Sequence, residues 1–142
     1  MRIALGVLGL IVFLAISALV ARWLTVDNAE RDQVTSLLQA QARGDAVAMV
    51  RQLSGCTSAC AATQRANARR LRRPGPVQIV AYDSATAHAL TAKTGLTRVV
   101  WKTPQSLTVV QCVRVRRTGN ALRGLNVRLV ALSAPIARTA SC

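Results

Sequence analysis

Residues 109–132 read VVQCVRVRRTGNALRGLNVRLVAL. Val109, Val113 and Val115 fall on one face of an extended chain, while Cys112, Arg114 and Arg116 point the other way. Leu125, Val127 and Leu129 repeat the pattern against Asn126 and Arg128. Alternation of this kind belongs to half-buried antiparallel strands, with one face on a core and the other in water. Thr118-Gly119-Asn120 lies between the two runs and predicts a hairpin turn in which Gly119 supplies positive φ. The stretch therefore predicts a long closing hairpin.

The same period appears upstream. Val77, Ile79 and Ala81 alternate with more polar positions, and Val99 and Trp101 alternate with Arg98 and Lys102. Residues 84–96 predict a strand with an irregular bend at Gly95. Before Pro74-Gly75-Pro76, which breaks any regular element, the period is helical. Asp27 with Glu30 three residues on resembles a capping box that opens a helix. Val34, Leu37, Leu38 and Ala42 then form one apolar stripe. Gly44 fits the left-handed position that ends such a helix, and Asp45 caps a second one carrying Val47, Val50 and Leu53. A third helix begins at Thr57 or Ser58 and runs towards Pro74. Helices followed by strands give an α+β order: two or three helices packed on a curved antiparallel sheet of about four strands.

The helix–Gly-Asp–helix stretch Gln33–Leu53 and the closing hairpin together resemble the nuclear-transport-factor-2-like superfamily over residues 27–135. The resemblance implies a cone-like sheet wrapped around an amino-terminal helix pair. Members include isomerases, dehydratases, protein-binding modules and membrane-tethered domains of secretion systems, so it implies a fold and no single function. Its enzymes place Asp, His or Tyr inside the cone; here Tyr82, Asp83 and His88 are the candidates for such a pocket. Tyr82 and Asp83 are neighbours and face opposite sides of a strand. Asp83 and His88 could meet across a turn to form a base. The simpler reading is a turn that starts at Asp83-Ser84, with His88 a satisfied strand residue.

Residues 3–21 (IALGVLGLIVFLAISALVA) carry no charge and are bracketed by Arg2 and Arg22. A helix of that length reaches about 28 Å, near the roughly 30 Å hydrocarbon core of a bilayer. The expectation is a transmembrane anchor over residues 1–22, with residues 3–21 in the lipid bilayer and a short linker over 23–26. An extracytoplasmic domain would follow over 27–136, with a tail over 137–142 tied down by Cys142. A cleaved signal peptide is the alternative, disfavoured by the length of the run and by Leu19 before a cut after Ala21.

Cys56, Cys60, Cys112 and Cys142 make an even set beyond this segment, the mark of a disulfide framework formed outside the cytoplasm. Four cysteines allow three pairings and spacing alone does not choose; Cys56–Cys60 with Cys112–Cys142 is the expected one. Zinc is disfavoured, because no second close pair follows Cys56-x3-Cys60 and His88 stands alone. No cofactor is implied.

The chain of 142 residues carries 19 Lys+Arg against 5 Asp+Glu, a formal net charge of +14. Asp83 is its last acid, so the sheet half is a one-sided positive field. Arg114, Arg116 and Arg128 on the polar strand faces are candidates for anion binding. Arginine far in excess of lysine, in an alanine-rich chain, is equally the composition of a GC-rich bacterial genome. Nucleic acid is not favoured as a partner, since stacking platforms need aromatics and these make up 3% of the chain. No paired carboxylates, Ser–His–Asp set or phosphate loop are present. The expectation is a non-catalytic interaction or structural module of a bacterial envelope assembly, with an unidentified protein partner. Binding of anionic polymer, lipid or DNA through the arginine face is the alternative, followed by small-molecule binding or catalysis in the cone.

Overall fold

Among the described residues, three helices precede four strands. They are α1 (Arg2–Arg43), α2 (Ala46–Gln52), α3 (Ser58–Arg70), β1 (Gln78–Ser84), β2 (Thr91–Lys102), β3 (Val109–Asn120) and β4 (Gly124–Leu132). The structure is a computed structural model that describes residues 2–86, 91–120 and 124–142. The strands form one antiparallel meander in the order β1-β2-β3-β4. The α+β arrangement and the four-stranded sheet expected from periodicity are both present.

Alternation sets the inner face of the sheet. β3 turns Val109, Gln111, Val113, Val115 and Arg117 inward, and β2 turns Thr97, Val99 and Trp101 inward, all of them buried. Against this face α1 packs Val34, Leu37 and Leu38; α2 adds Met49, and α3 adds Ala68. β1 departs from simple alternation. Ile79 pairs with Trp101 but Ala81 with Val100, so Val80 is left over as a bulge. The extra residue reverses the phase of the strand. Ala81 is therefore exposed, while Tyr82 and Ser84 turn inward.

Two loop expectations are corrected. Gly119 has φ of 98° but pairs with Leu125 inside the ladder, and Asn120 pairs with Gly124. Thr118-Gly119-Asn120 is therefore part of β3, and residues 121–123 lie outside the described residues. Gly95 is a regular ladder member opposite Val115, with no bend of the strand there. Its lack of a side chain admits the turn after β1: a Cβ at this position would lie 2.8 Å from Thr86 Cγ2 and 3.2 Å from Ala85 Cβ.

The amino-terminal expectations also change. α1 runs unbroken from Arg2 to Arg43, so Asp27 does not open a helix and residues 23–26 are helical. The transmembrane anchor expected over residues 1–22 is not supported. Among the described residues, no helix is long and apolar enough to cross a membrane. The residues of the apolar run lie in the same helix as Val34, Leu37 and Leu38, which pack into the core.

The carboxyl-terminal segment crosses the outer face of the sheet at one end. Ser133 and Ile136 donate backbone N–H groups to the carbonyls of Cys112 and Val110. Arg98 donates to the carbonyls of Arg138 and Ala140. Disulfides join Cys112 to Cys142 and Cys56 to Cys60, the pairing expected. Closing the longer loop removes more chain entropy, about 3.5 kcal/mol against about 2 kcal/mol for the shorter. Urea unfolding should therefore show the larger loss for a Cys112→Ala/Cys142→Ala variant than for Cys56→Ala/Cys60→Ala. Peptide mapping without reductant should recover the two links and no Cys60–Cys112 species.

Candidate functional site

The interior is organised around a carboxylate. Glu30 on α1 is fully buried. Its Oε1 accepts hydrogen bonds from the hydroxyls of Tyr82 (2.8 Å), Ser84 (2.8 Å) and Thr97 (3.0 Å). Its Oε2 accepts from Thr86 Oγ1 at 2.8 Å and from Arg117 Nε at 2.9 Å and Nη2 at 2.7 Å. Asp27, three residues back and so on the same helix face, takes a second bond from Arg117 Nη2. The Asp27/Glu30 spacing that looks like a capping box is thus a clamp for Arg117. Arg117 Nη1 is buried without a hydrogen-bond partner among the described residues.

Burial alone would raise the Glu30 carboxyl, but bonds from Tyr82, Arg117, Ser84 and Thr86 outweigh it and hold Glu30 below its ordinary value. Burial acts on Arg117 in the opposite sense and is likewise outweighed, here by Asp27 and Glu30, so its guanidinium is held charged. A second polar cluster lies further along. Gln111 Oε1 accepts from Trp101 Nε1 at 2.8 Å and from Gln41 Nε2 at 2.9 Å, and its amide donates to the Ser133 carbonyl. Gln64 and Asn67 on α3 donate to the carbonyls of Leu132 and Ser133.

Tyr82 and Asp83 face opposite sides of β1, as strand alternation expects. Tyr82 points inward to Glu30, with Arg31 over its ring at 5.0 Å. Burial first, and then the Glu30 carboxylate, push its phenol far above the ordinary value, so it stays a neutral donor. Asp83 is exposed on the opposite face, in register with Arg98. His88 lies outside the described residues. Among the described residues no group of three or more His, Cys, Asp or Glu could hold a metal ion.

The arginine candidates do share a face. Arg114, Arg116 and Arg128 are all exposed. Arg116 is the direct cross-strand partner of Arg128, and Arg114 lies two residues along, opposite Ala131. At the free edge of the sheet Leu53 bridges to Leu129, and the Ser54 N–H donates to the Leu129 carbonyl at 2.7 Å. This brings the α2–α3 turn against β4 and forms a cleft of about 520 Å³ lined by Ser54, Gly55, Arg116, Thr118, Arg128 and Val130. Sequence periodicity places the arginines but not Ser54 or Gly55, which arrive through a single bridge between distant residues. A second cleft, of about 780 Å³, includes Arg43, Arg72 and Arg73 where α1 ends and the chain leaves α3. Basic residues there complement helix carboxyl ends.

No family model, curated protein or solved structure matches this chain.

Because Glu30 is depressed in the folded state, its contribution to stability is complete above its ordinary value of 4.5 and is lost as the pH falls through the lower folded-state value. The urea midpoint of the native protein should accordingly fall steeply below about pH 4.5. In Glu30→Gln the midpoint should start lower at neutral pH and show a shallower acid limb. An acid limb unchanged by this substitution would exclude Glu30 as its source.

Proposed function

We propose that the protein is a non-catalytic interaction and structural module that works outside the cytoplasm as part of a bacterial envelope assembly. The observation that carries this is the buried Glu30–Arg117 pair. Where the resembled fold would offer its cone pocket, Glu30 and Arg117 are packed together and bonded by Tyr82, Ser84, Thr86 and Thr97. The surface then becomes the place where recognition occurs. Two disulfides and no free cysteine among the described residues favour an oxidising compartment. The exposed part of the sheet offers a rigid, basic platform to a protein partner.

The arginine face favours a second reading, binding of an anionic polymer, lipid or DNA, because Arg116 and Arg128 oppose one another without a carboxylate in their cleft. The two are separated by site-specific crosslinking in native envelopes. A photo-reactive residue replacing Arg114 should trap one discrete protein species, and the same residue replacing exposed Val47 on α2 should not. Tyr82→Phe should leave that adduct unchanged. Equal scatter from both positions contradicts a protein interface on this face, and a turnover that depends on the Tyr82 hydroxyl contradicts the non-catalytic reading.

A further inference from the structure

We propose that the cleft between the outer face of β3–β4 and the Ser54-Gly55 turn is a binding site for a phosphomonoester group, held between Arg116 and Arg128. The inference deepens the anion-binding reading of the sheet face and rests on it. Arg116 and Arg128 are direct partners across two antiparallel strands. Side chains so placed have Cβ atoms about 5 Å apart, and like charges there repel. A structural pair would normally be relieved by an acid. None lines the cleft, no Asp or Glu follows Asp83 in the chain, and both ion pairs among the described residues belong to Arg117. A dianion between the two guanidinium groups converts the repulsion into charge-assisted bonds, and the planar fork of arginine fits phosphate oxygens two at a time.

The remaining lining suits the same ligand. Ser54 and Thr118 bring hydroxyl groups that can donate to phosphate oxygens. Gly55 has φ of +72° and nothing within 4 Å of where a Cβ would stand, so the backbone is open to close approach from that side. The turn is held before a ligand arrives. The Ser54 N–H is bonded to the Leu129 carbonyl, and Cys56, the next residue after Gly55, is tied to Cys60. Such prior ordering removes part of the entropic cost of binding. A volume of about 520 Å³ exceeds a lone ion and leaves room for the group that bears the phosphate. Arg114 shares the face but does not line the cleft, which makes it an internal control.

The test is a titration of the oxidised, ¹⁵N-labelled full chain with inorganic phosphate at constant ionic strength, with chloride as the control. Saturable shifts should appear at the Gly55 and Thr118 amides and the Arg116 and Arg128 Nε groups. Arg116→Gln and Arg128→Gln should each weaken binding about tenfold, and Arg114→Gln less than about twofold. Ser54→Ala should weaken it about threefold. A parallel arm uses phosphatidylcholine vesicles with and without phosphatidic acid. Retention on the acidic vesicles with the same order of variants assigns the phosphate to a lipid headgroup; saturable phosphate binding without retention assigns it to a soluble ligand. Either result supports the site. Equal weakening by all three arginine variants, or shifts that chloride reproduces, overturns the cleft and leaves only a diffuse basic face. A third arm uses duplex DNA. Absence of binding to phosphate, acidic vesicles and DNA alike overturns the anion-binding reading as well, whereas binding to DNA alone overturns the phosphomonoester site.

Discussion

A carboxylate and a guanidinium share the interior of this domain, and the placing of the strands follows from what the carboxylate requires. Removing an ionised group from water costs several kcal/mol per ion, and this is offset only when every oxygen is bonded and an opposite charge lies close. Glu30 meets that demand with hydroxyls from β1, from the turn after it and from β2, and with the guanidinium of Arg117 from β3. Segments distant in the chain thus have one register relative to α1 in which the cost is met. The Val80 bulge is needed for it, since without that extra residue Tyr82 and Ser84 would face water. Gly95 is needed too, because a side chain there would displace Thr86.

With Glu30 and Arg117 engaged with one another inside, attention turns to the outside of the sheet. One end of that outer face is covered by residues 133–142, fastened through Cys112–Cys142 and the Arg98 bonds. The other end is left bare and carries Arg114, Arg116 and Arg128. Where the Leu53–Leu129 bridge extends the sheet edge, this bare region deepens into a cleft with hydroxyls beside its arginines. The same alternation that buries Arg117 leaves Arg116 exposed, so one strand supplies both the internal counter-ion and the external charge.

Much of the architecture is legible in the residues. Period-two alternation in VVQCVRVRR and LNVRLV gives β3 and β4 with their correct inner faces, and Gly44-Asp45 marks the α1–α2 junction. The cysteine count anticipates the disulfides. What escapes, the disulfide pairing apart, depends on contacts between distant residues. Glu30 on the stripe of Val34 and Leu37, and Arg117 in phase with Val113 and Val115, are lone charges on apolar faces. That is the signal of a buried pair, but Asp27 three residues before Glu30 imitates a helix start. The bulge at Val80 leaves no trace in a run of apolar residues, so simple alternation groups Ala81 with Val77 and Ile79 although it is exposed. An apolar run of 19 residues likewise suggests a separate span, whereas the helix that contains it continues without a break into the core. Ser54 and Gly55 carry no motif at all and join the arginines only through tertiary pairing.

The central claim is that Glu30 and Arg117 are coupled and not merely adjacent. A double-mutant cycle on the oxidised protein measures this directly, using Glu30→Leu, Arg117→Met and the double variant in urea at neutral pH. Each single change leaves a buried charge without its principal partner, at about 3–5 kcal/mol, and the double change removes both charges together. The account requires the double variant to be more stable than the sum of the single losses implies, by about 2 kcal/mol or more. Losses that add to within about 0.5 kcal/mol would contradict it.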